Sequence, residues 1–308
     1  MEQSISRGNQ LRSFKVWASL VFIFFLFIGC VTPIPFQLDP VSVDRVGDVR
    51  ASACINQDNI SIQVMASGYG SGFGLIGAIV DAGVNSSRRS GAEETIAPLR
   101  EKTKDIKLSD DLLNALTPML KELPWPRVLD VQMSAKSLAV TPVDVTDNSV
   151  LRLYTDYRLS STADVLEMTT GFAFYLKGDT TASSSGSVYY ASKRIGRNEE
   201  ENEAAIKLWA DNEAALYREA LGLGIKETVK MLNAALPYAG RKTPARPMEE
   251  RVGIRVRLTH GRGDFGIKYT GTPLYGWILE QSEDRLLFQS EGGHLYSIPT
   301  SDIIKRLT

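Results

Sequence analysis

Two periods of hydrophobicity divide the chain into blocks, and the shorter one marks the strands. Asn59-Ile60-Ser61-Ile62-Gln63-Val64-Met65 alternates polar with apolar and predicts a half-buried strand. Val128 to Met133 predicts another. Val150 to Leu159 puts Leu151, Leu153, Thr155, Tyr157 and Leu159 on one face, and Val165 to Leu176 does the same with Leu166, Met168, Thr170, Phe172, Phe174 and Leu176. Ser187 to Ile195 completes a meander whose three strands are expected to be consecutive antiparallel neighbours. The longer period marks helices. Ser90 to Lys104 is polar and helical in character, and Ser109 is expected to cap a helix that runs toward Leu123 and stops at Pro124-Trp125-Pro126. From Glu199 to Leu236 the apolar positions Ala205, Leu208, Trp209, Leu216, Leu223, Val229, Leu232 and Leu236 follow an amphipathic helix, with Gly222 and Gly224 as the expected break.

Beyond Pro237 the helical period ends, and Pro244, Pro247 and Gly240 among basic residues predict a linker over 239–249. Short strands follow at Gly253 to Thr259, Leu274 to Gln281, Arg285 to Ser290 and His294 to Ile298, separated by turns such as Ser282-Glu283-Asp284 and Glu291-Gly292-Gly293. Gly276-Trp277-Ile278-Leu279, Asp284-Arg285-Leu286-Leu287-Phe288, Gly293 to Ser297, Ile298-Pro299 and Ile303 together resemble a small SH3-like or Sm-like barrel over 250–308. Such a resemblance implies a fold and leaves function open. The expected fold class is therefore α+β: a mainly antiparallel sheet with helices packed on one face over 49–238, followed by a small all-β SH3-like barrel.

The first thirty residues have a different character. Arg7, Arg12 and Lys15 precede an apolar run from Val16 to Ile28, interrupted by Ser19 alone, then Gly29 and Cys30. That is a positive segment, an apolar core and a small residue at a cut site, the order of an export signal. As a helix the run reaches only about 20 Å, short of the roughly 30 Å hydrocarbon core. Leu26-Phe27-Ile28-Gly29-Cys30 resembles the lipobox of bacterial lipoprotein precursors; Gly29 and Cys30 match it, whereas Phe27 and Ile28 depart from its usual residues. The resemblance implies removal of residues 1–29 and lipidation of Cys30, with 30–48, rich in proline, as a tether. An uncleaved anchor is the alternative. Val31 after the cysteine, rather than aspartate, implies the outer membrane in a Gram-negative cell.

Charge adds little to this and chemistry removes several options. Loss of residues 1–29 takes away Arg7, Arg12, Lys15 and Glu2, and the formal charge moves from −1 to about −3, so no nucleic-acid partner is implied. Cys30 and Cys54 are the two cysteines; with Cys30 lipidated, Cys54 is expected as a small buried hydrophobe. Gly72-Phe73-Gly74-Leu75-Ile76-Gly77 spells a dinucleotide fingerprint, but the polar stretch Ser86 to Glu94 replaces the acidic-ended second strand it requires. Gly70, Gly74, Ala78 and Ala82 recur every fourth residue and would let another backbone approach one helix face, as internal packing or as a partner contact.

His260 and His294 are too few for a zinc site, so no metal and no cofactor are expected. Asp110 with Asp111 and Glu199-Glu200-Glu201 read as helix-start acids. The mature chain also resembles proteobacterial envelope lipoproteins in Gly74 to Asp81 and in Trp209 within its acidic, alanine-rich helix. The expectation is a lipid-anchored, non-enzymatic protein facing the periplasm that binds an envelope protein or peptidoglycan. Its candidate contacts are Gly70, Gly74, Ala78, Ala82, Tyr275 and Trp277. The alternatives are a cell-wall binding module that uses Tyr275, Trp277 and Phe288, and a hydrolase with carboxylates in a cleft between the modules.

Overall fold

β-Strands organise the molecule, joined in one sheet with helices packed against it. The computed structural model describes residues 46–57, 59–62, 90–123, 126–134, 143–196, 202–236, 248–256 and 272–307. In chain order the elements are β1 (Val49–Ile55), α1 (90–103), α2 (Leu108–Glu122), β2 (Val128–Met133), β3 (Ser149–Leu159), β4 (Leu166–Tyr175) and β5 (Ser184–Ala191). There follow α3 (Asn202–Ala235), β6 (Val252–Val256), β7 (Thr272–Gln281), β8 (Arg285–Ser290), β9 (Leu295–Pro299) and β10 (Ile303–Leu307). Short 3-10 turns stand at Met248–Glu250 and Thr300–Asp302.

Among the described residues, ten strands form one mixed sheet in the order β10-β6-β7-β8-β9-β5-β4-β3-β1-β2, so the fold is α+β. The predicted meander is present: β3, β4 and β5 are antiparallel neighbours, with Thr155 opposite Thr170 and their hydroxyls 2.9 Å apart in the core. β1 runs parallel to both β2 and β3. The C-terminal strands, expected as a barrel of their own, join the same sheet, because β9 pairs in parallel with β5 through Val188–Leu295 and Tyr190–Ser297.

The main core lies between the sheet and its helices. Leu151, Leu153, Tyr157 and Leu159 of β3 and Leu166, Met168, Phe172 and Phe174 of β4 meet Leu112, Leu116 and Leu120 of α2 and Trp209, Leu221, Met231 and Leu232 of α3. Each such side chain removed from water contributes about 1.5–3 kcal/mol before entropy is counted. A second core joins Ile254, Val256, Leu286, Phe288 and Ile298 of the C-terminal strands to Val165, Tyr189 and Ala191. The C-terminal half therefore borrows part of its interior from β5 and the β3–β4 turn.

Several expectations are corrected. Helix α2 starts at Leu108, with Lys107 at its cap position and no side-chain cap bond; burial of Leu108 draws the first turn inward, so Ser109 lies inside the helix. Strand β5 begins three residues earlier than predicted. Its start, Ser184 to Ser187, has no apolar alternation, yet Gly186 lies under the Phe172 ring, where a Cβ would come within 2.5 Å of Cζ. Beyond Ala191 it leaves the sheet.

Helix α3 does break, but not at its glycines. Gly224 instead lets the helix approach β5, since a Cβ there would stand 3.0 Å from the Tyr190 ring. The break is at Asp211–Ala214, where Asn212, Glu213 and Ala214 have φ of +49°, +55° and +59°. Such left-handed backbone costs roughly 1–2 kcal/mol per residue with a Cβ. Of the strand expected from Asn59, Ile62 makes an isolated bridge to Leu159, and the part beyond it lies outside the described residues.

Candidate functional site

The outer face of the C-terminal strands carries the exposed aromatic that the sequence nominated. Register fixes it: Ile254 and Val256 of β6 point into the second core, so Gly253, paired with Tyr275, belongs to the opposite face. Tyr275 is 43% exposed and Trp277, two residues on, is half-buried. The Arg251 guanidinium lies 5.0 Å from the Tyr275 ring centroid and is held by Glu291 at 2.5 Å. Glu291 is itself tied down, its amide donating to the Tyr275 carbonyl at 2.9 Å. Between the two aromatics, Gly276 permits a close approach of β7 to β8: a Cβ there would be 1.9 Å from the Gln289 carbonyl oxygen. At a partly exposed site such as this a cation–π contact contributes about 0.5–1 kcal/mol.

Phe288, the third aromatic of the cell-wall alternative, is a correction. It is fully buried beside Ile254 and Leu286 and belongs to the second core. Cys30, Gly70, Gly74, Ala78 and Ala82 lie outside the described residues, as do His260 and Glu199 to Glu201. Cys54 is buried in β1, as expected of a small hydrophobe, with its thiol 3.6 Å from Asn56 Oδ1.

Residues the sequence did not single out form the seam between β5, β8, β9 and α3. Arg285 donates through Nε to Ser297 Oγ at 3.0 Å and through Nη2 to the carbonyls of Ala191 and Ser297 at 2.8 and 2.7 Å. Its guanidinium lies 4.7 Å from the Tyr190 ring centroid, and Ser297 Oγ donates to Glu227 Oε2 of α3 at 2.6 Å. Burial pulls Arg285 below its usual pKa, and pushes the Tyr190 phenol well above its own. An arginine after a Ser-Glu-Asp turn reads as solvent-facing, so no local signal marks it.

One more pair crosses the seam. Ser187 Oγ and His294 Nδ1 are 2.9 Å apart, and burial alone lowers the imidazole pKa. The neutral ring could accept a hydroxyl proton, which is the first half of a nucleophilic site. Among the described residues no carboxylate orients this imidazole, so the pair stands as a hydrogen bond across the seam. Two of the three buried acids are engaged elsewhere, Asp164 with Arg194, Ser160 and Thr162, and Glu167 with Arg158 at 3.7 Å; the third, Asp302, lies in the 3-10 turn before β10. Asp110 and Asp111 sit in the exposed first turn of α2.

No protein-family model matches this chain, and no curated protein does. A solved structure described as an uncharacterized protein covers 61% of this chain and 94% of its own at 8% identity. Its TM-score is 0.21, a likeness on which no argument rests.

Among the described residues, no group of three or more His, Cys, Asp or Glu is placed to hold a metal, and no helix is long and apolar enough to cross a membrane. A cleft of about 510 Å³ between α2 and α3 is lined by Ala115, Pro118, Met119, Lys226, Val229 and Asn233 among others, with Lys230 at its edge bound to Glu280 at 2.7 Å.

Proposed function

We propose that this chain is a lipid-anchored, non-enzymatic protein of the bacterial envelope that holds a partner on the outer face of β6 and β7. The lipobox-like Gly29-Cys30 after a short apolar run supports the anchor. One observation carries the contact surface: Tyr275 stands 43% exposed with Arg251 over its ring and half-buried Trp277 two residues on, whereas Phe288, the third aromatic nominated for binding, is buried. Tyrosine and arginine are the side chains most enriched at binding hot spots.

The same reading takes β6–β10 as an SH3-like barrel fused to the sheet. Its support is the strand order β10-β6-β7-β8-β9, the 3-10 turn Thr300–Asp302 between β9 and β10, and the closing β10–β6 pairing. The hydrolase alternative draws no comparable support, since Asp164 and Glu167 are buried in ion pairs with Arg194 and Arg158.

A photoreactive side chain at position 275, tested in intact cells, is expected to capture one envelope component that the same probe at exposed Asp110 does not. Equal capture at both positions would remove the proposed contact surface. Sedimentation with purified cell walls separates the two partners: co-sedimentation lost in Tyr275→Ala identifies the wall, and its absence points to a protein. The anchor is tested separately by the mass of the membrane-bound chain, which should lack residues 1–29 and carry acyl groups on Cys30.

A further inference from the structure

The left-handed turn in α3 has no role in the contact surface proposed above, and its surroundings explain what it achieves. Three consecutive residues of the wrong hand redirect the helix axis, so that residues 202–211 leave the line of residues 215–235. The redirected piece ends on Trp209, which is 1% exposed. Its indole Nε1 donates to the Ala163 carbonyl at 2.6 Å, in the turn between β3 and β4. Asn202, at the other end, donates to the Ser161 carbonyl of the same turn at 3.2 Å. Ala163 itself has φ of +56°, so the indole bond ends on a residue of left-handed backbone.

Ala205 and Ile206 of this piece are buried in the main core, as is Ala214 in the break itself, and the polar supports of the break are on the surface. Lys102 meets Glu213 at 2.8 Å, and Arg218 donates to the Glu213 carbonyl at 3.0 Å while pairing with Asp105 at 2.7 Å. Exposed ion pairs hold little. Beyond the break the Trp209 ring meets Tyr217 edge-on, with centroids 6.3 Å apart.

We propose that residues 202–211 form a strap with two positions. Docked, the strap seats Trp209 against the β3–β4 turn at the expense of the left-handed turn. Released, residues 211–214 take ordinary helical backbone, α3 runs on as one helix, and the indole leaves its socket on the β3–β4 turn. Anchor and strain oppose each other across a few residues, which is the arrangement of a bistable element.

Hydrogen exchange on the full-length protein tests this through two substitutions at the exposed Glu213. Glu213→Ala and Glu213→Gly both remove the ion pair with Lys102 and differ only in the Cβ. In left-handed backbone the glycine favours the docked strap, so amides of 202–211 should exchange about 5- to 30-fold more slowly in Glu213→Gly than in Glu213→Ala. In an ordinary helix glycine is the weaker residue and the order reverses. Equal rates or the reversed order would overturn the proposal. A second variant, Trp209→Phe, deletes the indole N–H: exchange should accelerate at least about tenfold in 202–211 and stay unchanged in 215–235. Acceleration of both segments together would show that α3 opens as one body and has no separable strap.

Discussion

At Gly276 the β7 backbone runs so close to the Gln289 carbonyl of β8 that a single methyl group has no room. Gly276→Ala must push the two strands apart, and it is expected to cost about 1–3 kcal/mol in urea unfolding. Gly222 is the opposite case. It is exposed in the middle of α3 with open space around its would-be Cβ, so Gly222→Ala should gain about 0.5–1 kcal/mol in the same measurement. The sequence sets Gly276 inside a strand and Gly222 at the expected helix break, and the distance to neighbouring atoms separates the two outcomes. His294 supplies a pH dependence. Burial lowers its folded-state pKa below the usual 6.5, so from about pH 6.5 downward the unfolded chain binds the proton first. Its contribution is complete above 6.5 and is lost as pH falls toward the folded-state value. Stability of the wild type should drop between pH 7 and 5 more steeply than that of His294→Gln.

Strands β3 and β4 were legible because one face of each is continuously apolar, and the predicted faces are the ones buried under α2 and α3. Legibility fails where packing across the sheet overrides local pattern. The start of β5 is a run of serines and a glycine that pairs because the Phe172 ring needs a neighbour without a side chain, and no periodicity signals that requirement. The break in α3 was expected from Gly222 and Gly224, yet it falls at Asn212-Glu213-Ala214, where the anchor is a tryptophan bond to a turn far away in sequence. Of the candidate contacts, Tyr275 was readable from alternation along β7, and Phe288 was misassigned because exposure depends on which face of β8 meets Ile254. Arg285 gave no signal at all. Replacing it by Met keeps the aliphatic stem and removes three hydrogen bonds that bind β8 to β9 and to the end of β5. Arg285→Met should lower stability by at least about 2 kcal/mol, and exchange of the β5 and β9 amides should rise before that of β3.

One sheet runs through the molecule from β10 to β2, and α3 packs on β4, β5 and β9, so the C-terminal strands and the α+β part share hydrogen bonds, a helix and an interior. A chain ending at residue 247 loses the partners of Tyr189 and Val165 in the second core and leaves β5 as a bare edge. It is expected to unfold at lower urea concentration than the full chain and to associate at micromolar concentration, as measured by denaturation and light scattering. Independent folding of the shorter chain, with unchanged midpoint, would mean that the seam is a contact between two self-sufficient bodies. The parallel pairing of Val188 with Leu295 also bears on how the polypeptide reaches its native state. Delivery from the N-terminus, in synthesis and in export alike, brings out β5 long before β9, and no turn joins them, so the edge must wait for a pairing of high contact order, the slow kind. During that interval the outer edge of β5, opposite its pairing with β4, stands open to association with other chains.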